Sequence, residues 1–143
     1  MKILLQRVDT ASVFVDDNVV GKIGYGVVLF VGIHRDDDDR VLNFCAEKCV
    51  NLRLFADESG KMNASVLQVG GQILAVSQFT LYGDCRKGRK PSFERAAKGE
   101  IAEPLYNSFL KTLRSKGAIV ESGVFGAEMK VEIHNNGPVT LCI

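Results

Sequence analysis

The feature that most constrains the fold is the unbroken apolar run of residues 26–33, Gly-Val-Val-Leu-Phe-Val-Gly-Ile. A continuous apolar run of this length predicts a strand that is covered on both faces. It follows a hairpin signal, in which the alternating segments 11–15 and 19–23 flank the turn formers Asp-Asp-Asn at 16–18. The first third of the chain is therefore predicted to consist of strands, one of them fully buried.

Two helices are predicted to pack on these strands. The first follows the acidic run Asp36 to Asp39 and extends to about Leu54, because carboxylates cap a first turn and favour the positive end of the helix dipole. The second begins near Pro104, whose missing N–H is harmless in a first turn, and ends at the C-cap Gly117. Its apolar positions recur at helical spacing at Leu105, Phe109 and Leu113.

Three further strands complete the pattern. One covers residues 72–79 after a glycine pair, and two lie near the end of the chain, at 129–134 and 138–143. With 143 residues the chain fits one domain with a proper core, and it shows no repeat, low-complexity stretch or linker. The predicted fold class is α+β: a single strand-rich domain, residues 1–143, with two main helices packed on the sheets.

The cysteines and histidines do not form a metal-binding pattern. Cys45 and Cys49 lie four residues apart on one face of a predicted helix, and we interpret them as core thiols. The chain has no Cys-x-x-Cys pair, and His34 and His134 are far apart in the sequence. Neither a zinc site nor a cofactor is therefore expected.

Composition and charge exclude several classes of protein. Apolar residues make up 46% of the chain and charged residues 24%, as in ordinary globular domains. The apolar run at the N-terminus is too short for a signal peptide, and no stretch approaches the roughly 18 apolar residues of a membrane span. We therefore expect a cytosolic protein without a membrane partner. A net charge of +1 argues against a strongly basic nucleic-acid-binding protein but allows a local basic patch.

Residues 77–81, Ser-Gln-Phe-Thr-Leu, place hydrogen-bonding side chains at the end of an apolar strand. Side chains and backbone N–H groups there could hold a carbonyl oxygen while negative charge develops on it. Ser77 and Thr80 could equally cap the strand, with Gln78 facing water. The residues themselves leave both interpretations open.

The usual catalytic motifs are missing. The chain has no Gly-x-Ser-x-Gly elbow, no glycine-rich phosphate loop before a helix and no His-Glu-x-x-His. A hydroxyl nucleophile would need His34 or His134 as its base, and both lie at predicted strand ends. A hydrolase with this sequence would therefore depend mainly on positioning and electrostatics.

Residues 135–140, Asn-Asn-Gly-Pro-Val-Thr, put the most flexible residue next to the most rigid one. Pro138 cannot donate a ladder hydrogen bond and so belongs at the start or edge of a strand, while Gly137 allows another surface to approach closely. The pattern fits an ordinary turn before the last strand. It also fits a rigid polar gate in which two carbonyl groups point the same way.

The loop 82–91 holds the largest local excess of positive charge. Its cations are Arg86, Lys87, Arg89 and Lys90. Four cations in five residues suit either a phosphate-bearing partner or a solvated loop. Tyr82 and Phe93 flank the loop and could either stack on bases or belong to the edge of the core.

Together these segments resemble the D-aminoacyl-tRNA deacylases, also called D-Tyr-tRNA deacylases, over essentially the whole chain. Two signatures carry most of the resemblance: Ser-Gln-x-x-Leu at 77–81 and Asn-x-Gly-Pro-x-Thr at 135–140, in this order. Asn136 stands at a variable position where the family more often has aspartate. Further matching segments are residues 5–8, 11–13, 51–55, 60–63, 86–93 and 126–129.

The resemblance implies a homodimer whose active site lies at the subunit interface. Such enzymes hydrolyse the ester of D-aminoacyl-tRNA and could also accept the achiral glycyl ester, including glycine mischarged on alanine tRNA. Their Gly-Pro peptide is cis and enters the partner's site. Carried over to this chain, the carbonyl groups of Gly137 and Pro138 would bind the α-amino group, and an L side chain would collide with this gate.

The same resemblance assigns Ser77, Gln78 and Phe79 to the pocket that holds the scissile ester, with the Phe79 N–H as oxyanion donor. Thr80 matches a position considered as the nucleophile, but a threonine hydroxyl without a base is weak, so assistance by the ribose hydroxyl of the terminal adenosine is preferred. Residues matching the adenosine and aminoacyl pocket are Ala102, Phe125 and Met129. The basic loop would contact the acceptor-stem phosphates.

Two other functions fit parts of the sequence. An RNA-binding module would explain the basic loop and would bind tRNA without turnover, but it would not explain the Gly-Pro segment. A small-molecule esterase or amidase would use Ser77 or Thr80 with His134 as its base. The expected partner is the acceptor end of aminoacylated tRNA, and DNA is not expected.

Overall fold

The chain folds into eight strands and two α-helices, and the computed structural model describes all residues from 1 to 143. The strands are β1 (Lys2–Val15), β2 (Asn18–Ile23), β3 (Gly26–Gly32), β4 (Phe55–Ala56), β5 (Met62–Ala64), β6 (Gln72–Ser77), β7 (Ile119–Ser122) and β8 (Lys130–Cys142). The helices are α1 (Asp39–Asn51) and α2 (Gly99–Ser115), and Phe79–Tyr82 form a short 3-10 turn. The predicted strand-rich α+β class with two main helices is confirmed.

The main sheet places the predicted buried strand at its centre. Its order is β2-β1-β3-β6-β7, and β8 pairs with β1. Six of the seven residues of β3 are buried, as the unbroken apolar run predicts. β3 runs parallel to β6, and β6 runs parallel to β7, so the carboxyl ends of all three strands lie at one edge of the sheet.

The hairpin and the first helix also form as predicted. Asp16 and Asp17 both have positive φ, at 48° and 60°, as expected in the tight turn that joins β1 to β2. The Asp38 carboxylate caps α1 by accepting hydrogen bonds from the amides of Arg40 and Val41, and these bonds help to lower its pKa. Helix α1 ends at Asn51, short of the predicted end.

The helices cover the sheet with a shared apolar core. α1 and α2 pack against each other, and the larger core cluster joins them to β3 and β6. Cys45 and Cys49 are buried in this cluster, and burial raises the pKa of both thiols. The interpretation as core thiols is confirmed. Neither helix is long and apolar enough to cross a membrane.

The predicted start of the second helix is wrong, because α2 begins at Gly99 rather than near Pro104. Ala102 and Tyr106 are buried with the predicted positions Phe109 and Leu113, whereas the predicted Leu105 is only partly buried, so the core-facing stripe extends upstream of the proline. Pro104 lies inside the helix on its exposed side, where the carbonyl that loses a backbone hydrogen bond can reach water. The predicted C-terminal glycine is correct: Gly117 has φ of +89°.

The strand predictions fail where long-range pairing overrides the local pattern. β1 begins at Lys2, much earlier than predicted, because it pairs with three strands at once. The predicted strands 129–134 and 138–143 form one strand, β8, that follows β1 along most of its length. The strand predicted for 72–79 ends at Ser77, where the chain enters the 3-10 turn.

Candidate active site

A cavity of about 510 Å³ opens at the carboxyl ends of β3 and β6. The start of α2 and the segment before β8 close its other sides, and its size suits one small organic molecule. Its wall is mostly apolar, with Ser77 and Gln78 as its hydrogen-bonding side chains. The lining residues are Val31, Ile33, Val76, Ser77, Gln78, Phe79, Ala97, Gly99, Ala102, Phe125, Gly126, Ala127, Met129 and Val131.

The cavity brings together six residues that the sequence singles out. They are Ser77, Gln78, Phe79, Ala102, Phe125 and Met129. These residues come from three separate parts of the chain, so the fold and not the sequence order makes them neighbours. Thr80 follows Phe79 in the chain and is exposed, but it does not line the cavity, and neither do Gly137, Pro138 and the basic loop.

The polar edge of the cavity is built by the turn that ends β6. The Gln78 N–H donates to the Val31 carbonyl oxygen at 2.8 Å, which fixes the turn to the end of β3. Phe79 opens the 3-10 turn, where the first amides have no acceptor inside the helix. The Gln78 side chain donates from Nε2 to the Thr80 hydroxyl, which leaves the hydroxyl proton of Thr80 free to donate.

No histidine lines the cavity or hydrogen-bonds to these hydroxyl groups. The His34 Nδ1 accepts the Asp36 N–H at 3.2 Å, and its ring packs on Tyr82 with centroids 5.2 Å apart. His134 lies in β8 opposite Thr10 of β1. No group of three or more His, Cys, Asp or Glu side chains is placed to hold a metal ion. The edge can therefore orient an ester and donate hydrogen bonds to it, but it lacks a histidine base.

Two buried tyrosines support this edge from the core. The Tyr106 hydroxyl donates to the Ala75 carbonyl oxygen of β6 at 2.9 Å, and Tyr82, the last residue of the 3-10 turn, packs near Gly32 at the end of β3. Burial raises the pKa of both phenols, to about 12 for Tyr82. Both side chains therefore stay neutral around pH 7 and act as structural supports.

The Gly-Pro segment projects from the sheet as a bulge. Val8 pairs with Asn135 and Gln6 pairs with Thr140, so Arg7 alone faces the stretch 136–139 of β8. The peptide bond between residues 137 and 138 is cis. Both residues are exposed, and neither lines the cavity of its own chain. The alternative of an ordinary turn between two strands is wrong, because β8 continues through the segment.

Arg7 clamps the base of this bulge, a role that sequence reasoning misses. Its Nη1 donates to the Leu54 carbonyl oxygen at 2.5 Å, and its Nε donates to the Asn136 carbonyl oxygen at 3.3 Å. A second contact ties Asn136 to β1, because its side-chain Nδ2 donates to Asp9 at 2.6 Å. The bulge is therefore held from β1 and from the segment after α1.

Replacing Arg7 by alanine is expected to lower the free energy of unfolding by about 2 kcal/mol, since it removes two hydrogen bonds from a charged donor and leaves partly buried carbonyl groups unpaired. Urea denaturation followed by circular dichroism measures this change. Arg35→Ala is the control, because the exposed Arg35 forms only a 3.8 Å ion pair with Asp36. Equal midpoints for the two variants would contradict the clamp.

The basic loop is closed at its neck and partly neutralised. Asp84 and Ser92 exchange two backbone hydrogen bonds of 2.8 and 3.0 Å. Arg86 binds the Asp84 carboxylate through Nε and Nη2, and this contact holds the pKa of Asp84 far below its usual range. The other three cations of the loop form no salt bridge. They, rather than Arg86, are free to meet an anionic partner.

The fold and the cavity together define an α+β protein with an apolar small-molecule pocket at the ends of its parallel strands. The chain belongs to the family described as D-Tyr-tRNA(Tyr) deacylase, whose model matches residues 4–143. The resemblance read from the two signatures is thereby confirmed.

Curated relatives and solved structures cover the whole chain. A D-aminoacyl-tRNA deacylase of Shouchella clausii is 55% identical over 143 residues, with 100% of this chain and 98% of the relative covered. That of Brevibacillus brevis is 57% identical, with coverage of 100% and 99%. A solved structure described as c-Myc DNA unwinding element binding protein has a TM-score of 0.95 and 44% identity, covering 100% of this chain and 97% of its own. A probable eukaryotic D-amino acid tRNA deacylase has a TM-score of 0.86 at 20% identity, with coverage of 99% and 97%, which supports the fold alone.

Proposed function

We propose that the chain is a homodimeric hydrolase that cleaves the ester of D-aminoacyl-tRNA and rejects the L-aminoacyl ester. The deacylase activity follows from membership of the family and from relatives of that name at 55% identity over the full length. The observation that carries the proposal is the convergence of Ser77, Gln78 and Phe79 on one edge of an apolar cavity. The cavity receives the terminal nucleoside with its amino acid, and the polar edge meets the ester.

The ester is activated by hydrogen bonds rather than by a side-chain base. The Phe79 N–H donates to the carbonyl oxygen as negative charge develops on it. The free ribose hydroxyl of the terminal adenosine assists the attack, which accounts for a site without a histidine beside Ser77 or Thr80. Water adds to the ester carbon, the bond to the ribose oxygen breaks, and the products are the free D-amino acid and tRNA.

Chirality is read by the Gly-Pro bulge of a second copy of the chain. The bulge is exposed and lies outside its own cavity, so only another subunit can bring its carbonyl groups to an ester. β8 supports this assembly, because none of its thirteen residues is fully buried although it pairs with β1. Its outward side, which includes the exposed Leu141, remains available to a partner subunit.

The carbonyl groups of Gly137 and Pro138 bind the α-amino group and leave no room for an L side chain. Backbone atoms do this reading, so the side chain of the D-amino acid has little effect on the rate. Glycine lacks a side chain to reject, and the glycyl ester on alanine tRNA is therefore also cleaved. The three unpaired cations of the basic loop contact the acceptor-stem phosphates.

Hydrolysis of D-tyrosyl-tRNA beside L-tyrosyl-tRNA tests the proposal. Release of the amino acid from the D ester, with the L ester intact, is the expected result. Equal cleavage of both esters would contradict the chiral gate but would still show that the protein is a hydrolase. Light scattering coupled to size-exclusion chromatography tests the dimer, and a fully active monomer would contradict the shared site.

Replacing Thr80 by alanine is expected to keep single-turnover hydrolysis within about tenfold of the unmodified rate, since the ribose hydroxyl, and not the threonine hydroxyl, assists the attack. Rapid-quench measurement on D-tyrosyl-tRNA checks this. The companion experiment uses a substrate whose terminal adenosine lacks the free ribose hydroxyl. The unmodified protein should hydrolyse this substrate at only a small fraction of the normal rate. Near-complete loss with Thr80→Ala would instead assign the attack to threonine.

A second candidate is a nucleic-acid-binding protein without turnover. The relative described as a DNA unwinding element binding protein favours it, being 44% identical over the whole chain. This candidate predicts binding of tRNA or single-stranded DNA with both aminoacyl esters left intact. The same hydrolysis assay therefore separates the two functions.

A further inference from the structure

Two exposed aromatic rings stand side by side at the mouth of the cavity. Phe79 and Phe93 meet edge to face, with centroids 5.1 Å apart and planes at 74°. Phe79 is 56% exposed and lines the cavity, whereas Phe93 is 37% exposed and lies outside it. Rings with open faces bind unpaired nucleobases by stacking, independently of base identity.

The segment that carries Phe93 is strongly cationic although the whole chain has a net charge of only +1. Glu94 is the only acidic residue between 86 and 98. Arg95 and Lys98 are exposed and form no salt bridge, and Asp84 near Arg95 is already bound by Arg86. The cations of this segment are Arg86, Lys87, Arg89, Lys90, Arg95 and Lys98.

Backbone contacts fix the position of this segment relative to the cavity. The Arg35 N–H donates to the Arg95 carbonyl oxygen at 3.2 Å, and the Ala97 N–H donates to the Ile33 carbonyl oxygen at 2.9 Å. Ala97 and Gly99 then belong to the cavity wall. A nucleic-acid strand that leaves the cavity past Phe79 therefore meets Phe93 and its neighbouring cations.

We infer that Phe93, with Phe79, is a stacking platform for the nucleobase that precedes the aminoacylated terminal nucleoside. Arg95 and Lys98 bind the phosphates of this unpaired 3′ segment. The inference rests on the proposed function, which places the terminal nucleoside in the cavity. It adds a subsite outside the cavity for the next nucleotide, where an open aromatic face and unpaired positive charge complement an unpaired base and its phosphates.

Two substrates separate this subsite from the cavity. D-Tyrosyl-tRNA contains the preceding nucleotides, whereas the D-tyrosyl ester of adenosine lacks them. Phe93→Leu keeps apolar volume beside Phe79 but removes the ring, and it should lower the ratio of kcat/KM for tRNA over that for the adenosine ester by about 5- to 100-fold. Phe93→Tyr should restore the ratio. Phe44→Leu is the matched control, because Phe44 is an exposed ring of α1 that has Lys48 beside it and lies outside the cavity wall.

The cations are tested by salt dependence. The Lys98 side chain makes no capping hydrogen bond to α2, so Lys98→Ala removes charge without removing a structural hydrogen bond. The slope of log kcat/KM for tRNA against log salt should become shallower by roughly 0.7 for each phosphate that the variant no longer binds, with no change for the adenosine ester.

Three outcomes would overturn the platform. Unchanged kcat/KM of Phe93→Leu on both substrates would show that the ring contacts no nucleotide. An equal fall on both substrates, which leaves the ratio unchanged, would show that the ring only supports Phe79. A shift of Phe93→Leu to a monomer would assign the two rings to the subunit interface. Failure of the unmodified protein on both substrates would refute the proposed function itself, a result distinct from the first three.

Discussion

Replacing Gly26 by alanine is expected to lower the free energy of unfolding by more than about 4 kcal/mol, a loss that few single substitutions cause. A Cβ atom at this position would lie 1.9 Å from the Gln72 carbonyl oxygen and 2.7 Å from the amide nitrogen of the same residue. These are backbone atoms of β6, which cannot move aside as a flexible side chain could. Because folded domains are stable by only about 5–15 kcal/mol, this loss is a large share of the total stability.

The same collision is expected to disturb the candidate active site. Gly26 and Gln72 form the first pair of the parallel β3–β6 ladder, and the last pair, Val31 with Ser77, ends at the cavity. Displacing β6 at one end therefore disturbs the strand that carries the polar edge at the other. The activity of the Gly26→Ala protein, after correction for the fraction that is folded, should therefore still be lower than that of the unmodified protein.

Gly24→Ala is the matched control for this prediction. A Cβ atom at Gly24 would lie 3.6 Å from the side-chain oxygen of Gln72, which is an ordinary contact. The Gly24→Ala substitution should lower the free energy of unfolding by less than about 1 kcal/mol, which is within the range of tolerated surface changes. Urea denaturation of both variants, followed by circular dichroism, gives the comparison. A Gly26→Ala protein as stable as Gly24→Ala would contradict the packing of β3 against β6.

Local patterns predicted the elements whose cause is local. The unbroken apolar run became the central strand β3, and the turn formers at 16–18 became the hairpin turn. The C-cap Gly117 and the N-cap Asp38 lie at the expected helix ends, because capping involves only near neighbours in the sequence.

Elements that depend on distant partners were predicted less well. α2 starts at Gly99 because the sheet and α1 offer apolar surface to its first turns, which a rule about Pro104 cannot reveal. β8 continues through a proline because its residues on both sides of the proline pair with β1. The residues that cannot join the ladder form the bulge.

The candidate site shows the same division. The two signatures point to residues that line the cavity or form the bulge, although their convergence or separation is visible only in the structure. Arg7 lies 47 residues from Leu54 and 129 residues from Asn136, so no local pattern connects it to the bulge. The pairing of Arg86 with Asp84 spans only two residues, and an acidic neighbour two positions away was a signal that the sequence did offer.

Replacing Gly137 by alanine is expected to lower kcat/KM for D-tyrosyl-tRNA by about 10- to 100-fold, and the preference for the D over the L ester should fall with it. The residue has φ of +120°, a conformation that side-chain-bearing residues rarely adopt. An added Cβ would also lie 2.9 Å from Nη2 of Arg7 and 2.9 Å from a methyl carbon of Val139. The bulge must reorient, and the carbonyl groups proposed to bind the α-amino group then leave their positions.

Gly60→Ala separates this effect from backbone strain alone. Gly60 also has positive φ, at +77°, but an added Cβ would meet nothing within 4 Å. It should lose some stability and keep both the rate and the preference for the D ester. The assay compares D- and L-tyrosyl-tRNA for both variants, with dimer content checked by light scattering. If the Gly137→Ala dimer discriminated as well as the unmodified protein, the bulge would not be the chiral gate, and the apolar cavity itself would have to select the D ester.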